Sequence, residues 1–387
     1  RTPSSKDWSR RAGSRRGEQI LAVPLRLLPT SLAVSLSGFP NHDSSNAMDA
    51  IYDSTQQKHD PKFFLQNGIV KPSPESPQRA EVFLKALHGA GHNIIAPEAH
   101  DSAAIQAIHT PDYLQFLETI HERWQHTGGS EEVIPNVHPN RWVANGYPDS
   151  AAGHAGWHMA DTACPIGAGT WEAAQAGAKT VIDAAQRALN GATAVYALCR
   201  PPGHHAFADM AGGFCYLNNS ALAAQELRSQ HERVAILDVD VHHGNGTQGI
   251  FYRRRDVLTV SLHADPQRFY PFFWGYAHER GAGEGFGCNF NLPLPRHTAD
   301  DEFLVELERG LERVRAFRPG ALVVALGLDA FEGDPLAGLG ITTQGFARIA
   351  QAIAQLKLPT VLVQEGGYLC DALGPNLVSF LSGFASR

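Results

Sequence analysis

Short runs of apolar residues, each followed by a polar cluster, recur through the second half of this 387-residue chain. Five have the length of a strand, and helical stretches separate several of them: ATAVYALC, VAILDVD, DVLTVSLH, ALVVALG and TVLVQEGG. Continuous apolar runs indicate strands covered on both faces, because a half-exposed strand alternates apolar with polar residues. Their alternation with helices predicts an α/β fold, with a central, mostly parallel β-sheet and helices on both faces.

The polar clusters all lie where a predicted strand ends. They read RPPGHHAFADMAGGFCYLNN, DVDVHHGNG, SLHADP, LDAFEGDP and EGGY. The carboxyl ends of parallel strands meet at one edge of a sheet, and open α/β sheets bind their ligands there. The sequence therefore predicts a single site to which five strand ends contribute.

One of these strand ends carries four ionisable residues within six positions, Asp238, Asp240, His242 and His243. Burying charge is costly unless partners or cations balance it. Asp240 and His242 are two apart, so they face the same way in an extended chain; the simpler alternative is a solvated loop pair. Together with Asp329, from another strand end, they form a ligand set that suits Zn²⁺ and the activation of water.

Other residues of the clusters suit proton transfer and charge stabilisation. His204 and His205 follow a strand end, and histidine exchanges protons near neutral pH. Tyr368 follows two glycines and can donate its hydroxyl to a developing oxyanion. Simpler interpretations stay open at this point, namely a helix cap or turn for Asp329 and an ordinary turn for Tyr368.

The composition of the chain restricts the classes of binding partner and the cellular compartment. The formal net charge of -7 argues against nucleic-acid binding, which needs a basic face. The five cysteines include no CxxC pair, which favours a reducing cytoplasm over a disulfide framework. No apolar run reaches the roughly 20 residues of a membrane span, so we expect no membrane partner.

Regular structure is predicted from Met48 onward. Residues 1–47 begin with a basic stretch and continue with apolar residues that Pro24, Arg26 and Pro29 interrupt, which does not suit a signal peptide. We interpret residues 1–47 as a non-native or disordered extension and 48–387 as one domain. Within that domain, residues 126–169 show no clear period, and so long a loop is usually functional.

These motifs together resemble the zinc-dependent histone deacetylase superfamily, with its single-domain arginase–deacetylase fold. RPPGHHA, GGFCYLNN, LDVDVHHGNGTQ, VSLH, LGLDAFEGDPL and EGGY appear in that family's order. Within the superfamily, RPPGHHAFADMAGGFCYLNN, HHGNGTQGIFY and GTWEAA look most like bacterial acetylpolyamine amidohydrolases. The resemblance implies that residues 48–387 form a deacetylase catalytic domain. Such an enzyme removes acetyl groups from N-acetylated polyamines or diamines and releases acetate and a free amine.

The resemblance also implies a role for each motif residue. One Zn²⁺ per chain would be bound by Asp240, His242 and Asp329. His205 would take a proton from the zinc-bound water and return it to the leaving amine. His204 would stay protonated beside Asp238, Tyr368 would polarise the acetyl carbonyl, and Gly213 and Phe214 would line the acyl channel. A structural monovalent cation, expected to be K⁺, would be surrounded, largely through backbone oxygens, by Asp238, Asp240, His242, Ser261 and Leu262. His243 is then expected either to support the metal ligands from behind or to be structural.

Two positions depart from common family patterns. Asn245 replaces the aspartate of HHGDG, so the partner of His205 would be neutral. Leu336 stands where a vertebrate polyamine deacetylase has a glutamate that selects cationic substrates.

Recognition of a polyamine's distal ammonium must therefore come from elsewhere, and Asp161 is the best candidate. Weaker candidates, each also readable as a solvated surface residue, are Glu131, Glu132, Asp149 and Asp265. Trp142, Tyr147 and Trp157 are candidates for the channel wall. In the bacterial enzymes a similar insertion forms a dimer interface, which implies a homodimer acting on a small acetylated amine.

Three other functions remain open at this point. A protein or peptide lysine deacetylase is compatible with Leu336, whereas the long loop favours small substrates. An arginase-like ureohydrolase would bind two manganese ions. A non-catalytic binder of acetylated ligands would be expected to lose Tyr368 or the His204–His205 pair, and this chain keeps both.

Overall fold

An eight-stranded parallel sheet forms the centre of the computed structural model, which describes residues 47–140, 146–336 and 338–386. The extension predicted for residues 1–47 lies, except for Ala47, outside the described residues. The strands are, in chain order, β1 (Asp49–Ile51), β2 (Phe63–Gln66), β3 (Ile69–Pro72), β4 (Asn93–Ile95), β5 (Ala194–Ala197), β6 (Val234–Asp238), β7 (Val257–Ala264), β8 (Asn289–Leu294), β9 (Ala321–Leu326) and β10 (Thr360–Gln364).

The central sheet has the strand order β4-β1-β5-β10-β9-β6-β7-β8, and every neighbouring pair is parallel. Strands β2 and β3 form a separate antiparallel hairpin. The α-helices are α1 (Gln78–Gly89), α2 (Ala104–Ile108), α3 (Pro111–Gln125), α4 (Ala151–His158), α5 (Thr170–Leu189), α6 (Asn219–Leu227), α7 (Asn245–Phe251), α8 (Asp300–Phe317), α9 (Thr343–Ala354) and α10 (Leu373–Ala385). None of the helices in the described part of the chain combines the length and the hydropathy of a membrane-spanning segment.

The two faces of the sheet are covered by different helices, as the apolar runs predicted. In β9, Leu322 and Val324 belong to a core cluster that also contains Phe303 of α8 and Phe380 of α10. The alternate residue Val323 belongs to a second cluster with residues of α3, α5 and α6. Side chains that alternate along a strand point to opposite faces, so both faces are apolar because both are buried. The predicted α/β class and the buried parallel sheet are confirmed.

All five predicted strands are present as β5, β6, β7, β9 and β10. The other three strands of the sheet were not predicted, since β1 and β4 have three residues each and β8 mixes asparagine and proline with apolar residues. The expectation that residues 126–169 lack regular structure is wrong for α4. Ser150 caps that helix by accepting a hydrogen bond from the backbone N–H of Gly153 at 3.1 Å.

Candidate active site

Three buried side chains meet where β6 and β9 end. Strand β6 ends at Asp238, and Asp240 and His242 lie in the segment that follows it. They face Asp329, which follows the end of β9. His242 Nδ1 lies 3.2 Å from Asp240 Oδ1 and 3.2 Å from Asp329 Oδ2. One ligand atom from each residue lies within 4.8 Å of the other two. The pairing of β6 with β9 therefore brings together ligands that are 87 or more positions apart in the chain.

The chemistry of this trio fits a divalent cation. Asp329 Oδ2 is buried and makes no well-aligned hydrogen bond among the described residues. Burial, and then the charge of Asp240, raise the pKa of Asp329 to about 7. Burial opposes protonation of His242, but its hydrogen bond to Asp240 and the nearby carboxylate of Asp329 raise its pKa to about 9. Two buried carboxylates with one imidazole are a favourable ligand set for Zn²⁺. The charge of the ion would stabilise the carboxylates in place of a bound proton.

Two adjacent histidines beside this trio have opposite electrostatic environments. Both His204 and His205 are buried. Burial disfavours the charged form of His204, but Asp240 and Asp238 raise its pKa to about 10, and Asp238 Oδ2 lies 3.0 Å from its Nδ1. Burial, and then the charges of His204 and His242, hold the pKa of His205 well below its usual range. The first imidazole is therefore a cation near neutral pH, and the second is a neutral base.

Asn245 determines which nitrogen of His205 is available. Its side-chain Oδ1 lies 2.7 Å from His205 Nδ1. An amide oxygen only accepts hydrogen bonds, so Nδ1 carries the hydrogen and Nε2 keeps its lone pair. Helix α7 starts at Asn245, which ties the orientation of the base to the start of a helix.

Tyr368 reaches the same site through the turn after β10. Its backbone N–H donates to Asp334 Oδ2 at 2.8 Å, and its ring lies 5.9 Å from the ring of Phe214. Burial raises the pKa of Tyr368 well above its usual range, so the hydroxyl keeps its proton. Arg79 of α1 donates to the carbonyls of Gly367 and Glu365 at 2.6 and 2.7 Å and packs 4.9 Å over the Tyr368 ring.

A cavity of about 540 Å³ opens over these residues. Phe214, Phe64 and Tyr368 pack against one another as its apolar wall. Gly213 and Phe214 both adopt left-handed backbone conformations, with φ of 51° and 67°. A side chain in this conformation is uncommon, and such strain is concentrated at functional sites. Gly213 has no alternative, because a Cβ there would lie 2.4 Å from His205 Cδ2.

Residues 73–384 match the histone deacetylase domain family. An acetylpolyamine amidohydrolase of Burkholderia pseudomallei (strain 1710b) is 44% identical over 336 residues, which cover 86% of this chain and 97% of the relative. This chain belongs to the histone deacetylase family.

Other relatives place it in the same branch of that family. Acetylpolyamine amidohydrolase 1 of Pseudomonas aeruginosa is 40% identical, covering 87% of this chain and 99% of its own length. A crystal structure of an acetylpolyamine aminohydrolase from Burkholderia pseudomallei superposes with a TM-score of 0.85, at 44% identity, covering 88% of this chain and 99% of the other. The resemblance read from the motifs is confirmed, and this family member is a hydrolytic, metal-dependent deacetylase.

The residues expected around a monovalent cation lie within β7, at the end of β6 and in the segment that follows β6. The register of β6 and β7 pairs Asp238 with Ser261, and Leu262 follows. A small cavity of about 10 Å³ lies beside Asp238, Ser261 and His243. His243 is buried with its ring 4.6 Å from that of His263.

Asp161 is the one proposed substrate carboxylate that lines the cavity among the described residues. Glu131 and Asp149 are exposed and Asp265 is half-buried. The alternative of a solvated surface residue is wrong for Glu132. Its side chain is buried and accepts a hydrogen bond from the backbone N–H of Lys62 at 2.7 Å. Of the proposed wall residues, Tyr147 and Trp157 do not line the cavity but pack edge to face 5.5 Å apart, and Trp142 lies outside the described residues.

Sequence reasoning missed several residues that shape the site. Tyr270 donates to Asp161 Oδ2 at 2.6 Å, and its ring lies 4.9 Å from that of His205. Phe269 stacks on His242 at 5.0 Å. Both follow the SLHADP cluster within six residues, so their position after a strand end was a usable signal. Arg79 lies in α1, where a charged residue in a helical sequence pattern predicts a solvent-exposed position. Nothing local in the sequence indicates its contact with the EGGY turn.

Proposed function

We propose that this chain is a zinc-dependent amidohydrolase that removes acetyl groups from N-acetylated polyamines or diamines, releasing acetate and the free amine. The observation that carries the proposal is a neutral buried imidazole, His205, beside the Asp240–His242–Asp329 ligand set, in a chain 40–44% identical to acetylpolyamine amidohydrolases over most of its length. One Zn²⁺ bound by the three ligands would make water more acidic and polarise the acetyl carbonyl.

Proton transfer falls to His205 in this mechanism. Its Nε2 accepts a proton from the attacking water while Nδ1–H donates to Asn245. The water oxygen forms a bond to the acetyl carbon, and the carbonyl π electrons move to oxygen. His205 then returns the proton to the amide nitrogen as the C–N bond breaks, so that acetate and an amine leave.

Charge on the carbonyl oxygen is stabilised by Tyr368, which donates its hydroxyl. Protonated His204 adds positive charge, and Asp238 keeps it protonated. Gly213 and Phe214, which line the cavity, would form the acyl channel, and Asp161, which also lines it, would stand near the channel mouth. A structural K⁺ at Asp238, Asp240, His242, Ser261 and Leu262 completes the proposal, because a cation there would offset the buried carboxylate of Asp238.

We also propose that residues 48–387 form the catalytic domain and that the enzyme acts in the cytoplasm as a homodimer. The family match over residues 73–384 supports the domain, and five free thiols support a reducing compartment. Val137 and Tyr147, in the segment expected at the interface, are 56% and 45% exposed and would be covered in a dimer. Light scattering on the purified enzyme measures its molecular mass and so tests whether it is a dimer.

The deciding experiment measures acetate release by the zinc-loaded enzyme from N-acetylputrescine, N-acetylcadaverine, acetylspermidine and an acetyl-lysine peptide. We expect higher kcat/KM for the small amines than for the peptide. Leu336 lines the cavity where a carboxylate would favour cationic substrates, so the peptide is the informative competitor. Equal or faster turnover of the peptide would make this enzyme a lysine deacetylase, and two metal ions per chain would instead favour a ureohydrolase.

A further inference from the structure

The mouth of the cavity carries more positive than negative charge. Among the described residues that line it, the carboxylates are Asp161 and Asp240, and Asp240 belongs to the metal ligand set. Arg268 and Arg296 line the same cavity, and both are exposed to solvent. A substrate that ends in an ammonium group therefore meets two guanidinium groups and one carboxylate outside the metal site.

The position of Arg296 is set by a stack of rings. Its guanidinium lies 5.2 Å above the centre of the Phe269 ring, and Phe269 stacks on His242 at 5.0 Å. A guanidinium over an aromatic face is held by cation–π attraction. Through these two contacts Arg296 is linked to the proposed metal ligand His242, and its guanidinium lines the cavity that a substrate would enter.

Asp161 has little capacity left to bind a distal ammonium. Its Oδ1 accepts from the backbone N–H of Ala163 at 2.8 Å and of Gly213 at 3.4 Å. Its Oδ2 accepts from the Tyr270 hydroxyl at 2.6 Å and from Gly213 at 3.2 Å. A carboxylate has about four acceptor positions, and three donors already occupy it, with the Gly213 N–H shared between its two oxygens. Asp161 therefore holds the channel wall in place more than it offers a site to a cation.

We propose that Arg268 and Arg296 bind a carboxylate at the distal end of the substrate, so that the same site also hydrolyses N-acetylated amino acids such as free Nε-acetyl-lysine. This inference rests on the proposed deacetylase function. The reaction balances as before: water adds across the amide bond, acetate leaves, and lysine regains its side-chain amine. A planar guanidinium matches a carboxylate through two parallel hydrogen bonds, which an ammonium group cannot form.

The substrates provide a matched comparison. Nε-acetyl-lysine is N-acetylcadaverine with a carboxylate on the carbon that bears the distal amine, and Nε-acetyl-lysinamide neutralises that carboxylate. We expect kcat/KM for Nε-acetyl-lysine to exceed that for the other two by about tenfold, the scale of one hydrogen bond to a charged group. The preference should weaken as salt increases, because exposed charges are screened.

Variants assign the preference to the arginines. R296Q and R268Q should each lower kcat/KM for Nε-acetyl-lysine several-fold and raise it for N-acetylcadaverine, because the same charge repels an ammonium. R296K keeps the charge but loses the planar fork, so it should keep the repulsion and lose most of the preference for the carboxylate. R315Q, at an exposed arginine of α8 outside the cavity lining, is the matched control and should change neither substrate.

The outcomes separate this inference from the proposed function. Acetate release from none of the substrates would refute the deacetylase itself. Release from N-acetylcadaverine at a rate equal to or above that from Nε-acetyl-lysine would overturn the inference and leave the proposed function intact. A carboxylate preference that persists unchanged in R296Q and R268Q would overturn the assignment to these two residues. The wild-type comparison needs no variant, so a misfolded variant cannot leave the question open.

Discussion

The charge states of two neighbouring histidines, His204 and His205, depend on the side chains that face them. His204 faces a carboxylate, Asp238, whereas His205 faces an amide, Asn245. Burial disfavours the charged form of both rings, but the surrounding carboxylates overcome it at His204 alone. One ring is therefore a cation near neutral pH and the other a neutral base, although they are adjacent in the chain.

At Tyr368 the expected effect of a substitution is kinetic. The change to Phe removes the hydroxyl and keeps the ring contacts with Phe214 and Arg79. We expect kcat to fall by about 10²–10³-fold, as for loss of one oxyanion donor, while KM changes little. Steady-state acetate release checks this, with the melting temperature as a control for folding. An unchanged kcat would remove Tyr368 from the mechanism.

Arg79 is expected to act through Tyr368 and not on the substrate. Its guanidinium binds two backbone carbonyls of the turn before Tyr368, and Glu75 anchors it at 2.8 Å. The variant R79K keeps the charge but cannot reproduce the planar set of donors. We expect kcat to fall about tenfold with KM nearly constant, because orientation of a catalytic group affects the transition state most. A larger change in KM than in kcat would contradict a positioning role.

At the scale of elements, the turn that carries Gly213 tests the channel geometry. In G213A the new Cβ would lie 2.4 Å from His205 Cδ2 and 2.8 Å from the Tyr270 hydroxyl, at a φ of 51°. The base or the turn must move, so we expect kcat/KM to fall by about 10²-fold, the scale for a displacement of about 1 Å. G212A is the matched control, since its Cβ would meet no atom closer than 3.2 Å. Equal activity of the two variants would argue against this geometry.

Sequence reasoning succeeded where the signal is local. The apolar run Val234 to Leu237 indicated a buried strand, and the residues after it include Asp240 and His242, two of the three side chains that meet at the proposed metal site. The order of the strands in the sheet could not be predicted in this way. The pairing between β10 and β9, for example, depends on long-range packing that no local pattern encodes. The contact between Arg79 and Gly367 joins residues 288 positions apart, so it became visible only once the elements were in place.

At the scale of the whole molecule, one buried histidine outside the metal site couples folding to pH. His109 is 1% exposed and joins two loops: its Nε2 accepts the backbone N–H of Asn218 at 3.0 Å, and its Nδ1 lies 3.3 Å from the Ala208 carbonyl. This pattern requires the neutral ring, since a protonated Nε2 could not accept from Asn218. Burial lowers the pKa of His109 to about 4.

The lowered pKa of His109 fixes the sign of the effect on stability. The unfolded chain takes up a proton on His109 near pH 6.5, whereas the native state resists until about pH 4. The contribution is therefore complete above pH 6.5 and is lost as the pH falls from 6.5 toward 4. It amounts to roughly 3 kcal/mol of the free energy of unfolding, because each tenfold change in proton affinity corresponds to about 1.4 kcal/mol.

The variant H109Q isolates this contribution. Glutamine can accept from Asn218 and donate to Ala208 without titrating, so its free energy of unfolding should fall by roughly 3 kcal/mol less than that of the wild type between pH 7 and pH 4. Denaturant unfolding at several pH values measures the difference, in which contributions of other titrating groups cancel. H126Q, at a histidine exposed after α3, is the control and should run parallel to the wild type. If the H109Q curve also ran parallel to the wild type, the pKa of His109 would change little on folding and the predicted coupling would be refuted.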